Sequence, residues 1–229
     1  MREIVMDTET TGLNPDEGDR IVEIGGVELM NHLPTGRTYH QYVNPERSMP
    51  REAFEVHGLG DEFLRDKPVF ARIADDFLDF VGDAKLVIHN ASFDMMFINA
   101  ELRWMNKPPL PMSQAIDTLD IARRKFPGAQ ASLDALCKRF GVDNSAREKH
   151  GALLDSEILA EVYLELLGGR QQGLVLDAQK TASTGQDQTS RSWTPPPRPS
   201  ALATRLTQTE LAAHNEFIDE IGDGALWRQ

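Results

Sequence analysis

The 229-residue chain has one cysteine, so no internal disulfide can form, a composition that fits a reducing cytosol. That residue, Cys137, lies in the helical apolar pattern Leu133-Asp134-Ala135-Leu136-Cys137, which predicts a core position. No apolar run approaches the length that crosses a bilayer, which excludes a spanning helix. Met1-Arg2-Glu3 leads straight into a predicted strand and leaves no room for a signal peptide. A soluble, cytoplasmic protein with no membrane contact is expected. Positive charge is also scarce, with 24 Lys and Arg against 36 Asp and Glu, a formal net charge of −12. With a sequence pI near 4.9, no broad basic surface can hold long nucleic acid by phosphate neutralisation alone. A small site where metal ions supply the positive charge remains open, as does a partner that holds the nucleic acid. No internal repeat is visible.

What is present is enough apolar sequence, 40% of residues, for a real core. Ile4-Val5-Met6 reads as a short strand covered on both faces, and the polar Thr10-Thr11-Gly12 after it as a turn. Ile21 to Leu29 reads as a long strand in which Gly25-Gly26 predicts a bulge or a close backbone approach. A third strand is expected from Thr38 to Val43, and short connections favour an antiparallel meander. A short helix is expected within 50–58, and an apolar stripe of Phe70, Ile73, Ala74, Phe77, Leu78 and Val81 predicts another over 70–81. Leu86-Val87-Ile88 and Ala115 to Thr118 read as brief strands. Further helices are expected from about Asp94 to Trp104, Leu119 to Lys125, Leu133 to Phe140 and Ala152 to Leu167, the last ended by Gly168-Gly169. Strands followed by alternating helices and strands predict an α/β fold, a mixed sheet covered by helices.

The chain then changes character. Residues 177–200 are rich in Ser, Thr, Gln and Pro with few aliphatics, the composition of a flexible linker. As a random coil its ends would lie roughly 27 Å apart. Thr207 with Glu210 is a capping-box signal, and Leu211, His214, Ile218 and Ile221 then share one helical face. One short amphipathic helix cannot bury that face on itself, so docking elsewhere is expected. The predicted organisation is a body over 1–170, a peptide and linker over 171–200, and a tail over 201–229.

Asp7 and Glu9 point to the same side of a strand, and paired carboxylates resist desolvation unless something positive neutralises them. No Lys or Arg lies in Asp7-Thr8-Glu9-Thr10-Thr11-Gly12, so a divalent cation is the natural partner. Asp94 falls just inside a predicted helix N-terminus, where the helix dipole alone favours an acid. Asp155 shares the apolar face of Ala152, Leu159, Val162 and Leu166, where an ionised group is costly unless paired or bound to metal. His150 precedes that helix beside Gly151. Four acids and a histidine without thiolates suit Mg²⁺ or Mn²⁺ better than zinc, with His150 as a titratable base for an attacking water.

Asp7 to Gly12, His89-Asn90-Ala91-Ser92-Phe93-Asp94 and His150-Gly151-Ala152-Leu153-Leu154-Asp155 resemble, in order and spacing, the three motifs of the DEDDh family of 3′→5′ exonucleases. The match is closest to the proofreading subunits of bacterial replicative polymerases. The resemblance implies a ribonuclease-H-like fold with a mixed five-stranded sheet, and two-metal hydrolysis at a DNA 3′ end releasing nucleoside 5′-monophosphates. By position, Asp7, Glu9 and Asp155 would bind the tighter metal and contact substrate, with Asp7 bridging to a second ion. Asp94 would support that second ion and His150 would be the general base. The stretch Glu52 to Gly58 resembles the family segment that contacts the terminal nucleotide, which makes Glu52 and His57 substrate-binding candidates. Residue chemistry alone reads both as ordinary surface positions.

The tail resembles that of a polymerase subunit. Gln171, Leu174 and Leu176 are similar to a short sliding-clamp-binding peptide, with Gln188 to Trp193 a poorer competitor because Arg191 stands where an apolar residue is wanted. Leu211, Phe217, Ile218, Leu226 and Trp227 would dock on the catalytic (alpha) subunit of the polymerase, and a small accessory subunit could bind the body. The rival readings are a stand-alone DEDDh exoribonuclease and an inactive nuclease-fold interaction module.

Overall fold

The computed structural model describes residues 1–145, 149–169 and 207–222, which fall in two units, Met1–Leu176 and Asp177–Gln229. In the first unit, five strands form one mixed sheet: β1 (Arg2–Thr10), β2 (Ile21–Met30), β3 (Leu33–Tyr42), β4 (Lys85–Ile88) and β5 (Ala115–Asp117). The order is β3-β2-β1-β4-β5. β1, β2 and β3 pair antiparallel as the expected meander, whereas β4 runs parallel to β1 and β5 parallel to β4. Among the described residues seven α-helices accompany it: α1 (Arg51–His57), α2 (Asp61–Leu64), α3 (Phe70–Val81), α4 (Ala91–Trp104), α5 (Thr118–Lys125), α6 (Leu133–Phe140) and α7 (Ala152–Leu166).

The alternation of β1 divides the core. Ile4 and Met6 join Phe70, Phe77, Phe97 and Ile98 of α3 and α4 on one face. Val5 joins Val27, Val87, Leu159 and Tyr163 under α7 on the other. Cys137 is buried with Ala122, Leu136 and Val162. Two details position α7. A Cβ on Gly25 would come within 2.2 Å of the Ala152 carbonyl carbon and the Leu153 nitrogen, so the first turn of α7 rests directly on the bare backbone of β2. The paired glycines therefore mark a close approach; the register breaks lie elsewhere, at Glu9/Thr10 and Val27/Leu29. At the other end of α7 the Tyr163 hydroxyl donates to Oε1 of buried Glu3 at 2.8 Å, and His32 Nδ1 lies 2.8 Å from Oε2.

Two expectations need correction, and one short helix lies where the sequence predicts none. β1 continues through Thr10, which pairs with Ile21 of β2, so the turn expected over Thr10-Thr11-Gly12 starts one residue later. β3 begins at Leu33, five residues earlier than expected. Its exposed polar residues hide the strand pattern, while Asn31 and His32, both at positive φ (52° and 66°), close a two-residue hairpin. The short α2 leaves no periodic stripe to read.

In the second unit, α8 (Gln208–Ile221) carries the predicted capping box: Glu210 N–H donates to Thr207 Oγ1 at 3.2 Å and Thr207 N–H to Glu210 Oε2 at 2.8 Å. Gln171, Leu174, Leu176, Leu226 and Trp227 lie outside the described residues, as does the linker over 171–200. Among the described residues no helix is long and apolar enough to cross a membrane.

Candidate active site

The C-terminal end of β1, the central strand, is where helices from both faces of the sheet converge. β1 delivers Asp7 and Glu9, opposite Gly25 and Glu23 of β2, onto the face covered by α7. Because α7 starts on Gly25, its first turn brings Asp155 over that end of the strand. From the opposite face, α4 begins at Ala91 and brings in Asp94. Its start is set by Asn90 in the left-handed region (φ 67°), a conformation asparagine tolerates, and by Asp117, whose carboxylate accepts from the N–H groups of Asn90 and Ala91, both at 3.1 Å.

These four carboxylates and His150 line one cleft of about 380 Å³. Ligand atoms of Glu9, His150 and Asp155 lie within 4.8 Å of one another, and Asp7 and Asp94 stand on the same walls. His150, expected as a base near the metal, thus joins the tightest group itself, with Nδ1 3.3 Å from Asp155 Oδ2. Its loop is tied to α1, the His150 N–H donating to the Val56 carbonyl at 3.3 Å.

Burial makes this an expensive place for negative charge. Asp94 and Asp155 are each only 3% exposed and Glu9 8%. Desolvation pushes the Asp94 carboxyl up to about 7, against the Thr8 hydroxyl, which donates to Oδ1 at 2.7 Å and favours the anion. A cluster of hard oxygen donors, most of them buried, fits a divalent cation, which supplies the charge the protein lacks.

The cleft shares Thr8, Glu9 and Phe93 with a second pocket of about 480 Å³. Glu52 and His57 both line it, as the resemblance implies. Residue chemistry misjudges His57, which is 6% exposed rather than a surface group. It accepts the Leu59 N–H on Nδ1 at 3.0 Å, which puts the ring hydrogen on Nε2, and burial lowers its pKa so that the neutral form persists. The opposite wall carries Leu13, 80% exposed, on a loop fixed by Asp19. Asp19 Oδ1 accepts from Thr11 Oγ1 at 3.1 Å and Arg47 at 2.8 Å, and its carboxylate fills the space a Cβ on Gly12 would need.

Sequence reasoning missed Thr8, Leu13, Phe93 and Asp134. Thr8 and Phe93 sit inside motifs whose acids draw the attention. Asp134, which lines the cleft and accepts from Asn144 Nδ2 at 3.1 Å, reads in sequence only as a first-turn helix acid. Leu13 has one available signal, an apolar residue standing alone in a polar loop.

Known proteins bear on these observations. A family model described as "Exonuclease" matches residues 4–163. The protein named DNA polymerase III subunit epsilon from Rickettsia felis is 50% identical, the alignment covering 96% of this chain and 97% of the relative. Its namesake from Escherichia coli is 44% identical over 99% and 97%. Among solved structures, Exonuclease X in complex with 5′ overhanging duplex DNA is 28% identical, with a TM-score of 0.56 over 72% of this chain and 90% of that one. The nuclease domain of 3′hExo, described as a DEDDh family member bound to rAMP, shares the fold at 21% identity and a TM-score of 0.64, over 72% and 91%. With a model spanning nearly all of the sheet and its helices, and relatives alike from end to end, the chain belongs to the exonuclease family and is a metal-dependent 3′→5′ exonuclease.

Proposed function

We propose that the chain proofreads DNA as the 3′→5′ exodeoxyribonuclease subunit of a replicative polymerase of the polymerase III type. The observation that carries this reading is the convergence of Asp7, Glu9, Asp94, Asp155 and His150, from three distant segments, on one cleft that opens into a second pocket. Two Mg²⁺ or Mn²⁺ ions held by Asp7, Glu9, Asp94 and Asp155 would supply positive charge against the phosphate and make water at the site more acidic.

The chain's own residues position the substrate, shield it and handle the proton. Leu13, Ala53, Val56 and Phe93 give the second pocket an apolar lining for the terminal base. His57 and Glu52, both on the wall of that pocket, contact the terminal nucleotide, with Glu52 at the rim accepting from a hydroxyl. With the hydrogen of His150 held on Nδ1 toward Asp155, Nε2 takes the proton of the attacking water. The water oxygen bonds to phosphorus and the bond to the 3′ oxygen of the preceding nucleotide breaks. That oxygen takes a proton from solvent, and a nucleoside 5′-monophosphate leaves. Mismatched ends are preferred because a mispaired terminus costs less to unstack into a site that accepts single strands.

The name shared by the relatives supports a place in a polymerase assembly in the cytoplasm. In it, Gln171, Leu174 and Leu176 contact the sliding clamp, while Leu211, Phe217, Ile218, Leu226 and Trp227 contact the catalytic subunit. A small accessory subunit on the body belongs to the same reading.

The test is to incubate the pure protein with a 3′-mismatched primer and Mg²⁺. Nucleoside 5′-monophosphates should appear one at a time, and EDTA should stop them. Asp7→Ala and His150→Ala should each lower kcat by about 10²-fold or more. Hydrolysis unchanged in both variants would sink the assignment and restore the inactive interaction module. Strong preference for RNA would favour the stand-alone exoribonuclease.

A further inference from the structure

The cleft has two open sides. One leads to the pocket with Glu52 and His57; the other, past Asn90 and Leu119, leads into a groove of about 540 Å³. The groove runs between the start of α4 and the outer face of α5, which presents Arg123 and Arg124. Both arginines are exposed, and among the described residues neither guanidinium makes a hydrogen bond or an ion pair. Their neighbours are engaged: Lys125 Nζ donates to the Leu166 carbonyl at 2.8 Å, and the Arg139 guanidinium sits 4.4 Å from the centre of the Phe126 ring.

Acids in the groove do not cancel them. Asp117 is turned to backbone, accepting from Asn90, Ala91 and Leu119 at 3.1, 3.1 and 2.8 Å. Asp120, one turn before the arginines, is exposed and ion-pairs with neither. At the rim of the cleft both charges act on His89, whose pKa is lowered chiefly by burial: Asp117 and a hydrogen bond to the Ala131 backbone raise it, and Arg123 lowers it. α5 departs from the rest of the chain, carrying Arg123, Arg124 and Lys125 against Asp120 alone in a protein of net charge −12.

A strand whose last nucleotide fills the pocket with Glu52 and His57 must leave the cleft by the other side. There its phosphates would meet a surface that elsewhere repels them. Guanidinium groups suit this contact, because they stay charged and form paired hydrogen bonds to phosphate oxygens. We infer that Arg123 and Arg124 form a subsite for the phosphodiesters of the strand 5′ to the scissile bond. The subsite rests on the exonuclease reading above and extends it to the part of the polynucleotide that is not cut.

The test compares a dinucleotide, whose sole phosphodiester is the scissile one, with a longer single strand, using the full-length chain with Mg²⁺. For the wild type, kcat/KM should rise with length. In the double variant Arg123→Ala, Arg124→Ala, the ratio of kcat/KM on the longer strand to that on the dinucleotide should fall about tenfold. Its log–log dependence on salt should flatten by about 0.7 per arginine. Arg123→Lys, Arg124→Lys should recover the salt slope, since it restores the charge. Equal losses on both substrates, no loss on either, or a wild type indifferent to length would each overturn the subsite alone. A wild type that cleaves neither substrate would overturn the exonuclease reading and the subsite with it.

Discussion

Asp94 shows how a single carboxyl links fold to chemistry. Its folded-state pKa of about 7 stands above the 3.8 of a free carboxyl, so the metal-free fold holds the proton more tightly than the unfolded chain does. That contribution to stability is complete below 3.8 and is lost as pH rises through about 7. In EDTA, the melting temperature of the wild type relative to Asp94→Asn should therefore fall between about pH 4 and pH 7, and added Mg²⁺ should remove the fall. A difference that stays flat in EDTA would mean that burial does not set the Asp94 proton. Taking the difference also cancels buried His57 and His89, whose lowered pKa values act in the opposite sense below the usual histidine range. Asp7, Glu9 and Asp155 are legible in the sequence because an ionised group on an apolar face or in a strand demands a partner, whereas Asp94, at a helix N-terminus, gains its role only from the resemblance of its motif. Thr8 and Asp19 are not legible, since a hydroxyl that steadies Asp94 and a carboxylate that braces the Leu13 loop acquire those roles only through neighbours distant in the chain.

At the scale of elements, the decisive contact is α7 on β2. Helical stripes make α3 and α6 readable to within a residue or two, because one apolar face repeats at the helical period. Strand β3 resists the same reading. It lies at the sheet edge with mostly exposed side chains, so its pairing with β2 leaves no apolar alternation. Gly25 and Gly26 look alike in sequence, yet their surroundings differ. A Cβ on Gly25 meets the backbone of Ala152 and Leu153 at 2.2 Å, whereas one on Gly26 meets the Phe80 and Ile4 side chains at 3.3 and 3.4 Å. Backbone at a helix start cannot step aside, while side chains yield by tenths of an ångström. Gly25→Ala should therefore destabilise the body by roughly 1–3 kcal/mol and lift Asp155 from its place, lowering kcat even at temperatures where the protein stays folded. Gly26→Ala should cost less stability and leave kcat near that of the wild type. Denaturant melts and steady-state kinetics on both variants decide the matter. Equal behaviour of the two would show that the start of α7 is not held by bare backbone.

At the scale of the whole molecule, the difficulty is an acidic enzyme acting on a polyanion. A net charge of −12 opposes capture of free DNA, and Arg123 and Arg124 relieve that repulsion only locally. Attachment to a polymerase would answer the rest, because the duplex is then held by another protein and the body has only to find a frayed end. The composition of residues 177–200 predicts a coil long enough to let the body search, and α8 begins with a capping box, the signal of a defined helix start. A chain ending before Asp177 should keep the wild-type kcat on a short single strand but lose co-purification with its polymerase. On a primer held by that polymerase, excision at equal dilute concentrations should then fall by about 10²-fold or more, the gain that tethering confers. Doubling the linker instead should cost only about threefold, since local concentration falls as the −3/2 power of length. Excision that vanishes on doubling would mean that the body must sit at one fixed place on the polymerase. Excision indifferent to truncation would mean that the enzyme works free, and the tail would need a different purpose.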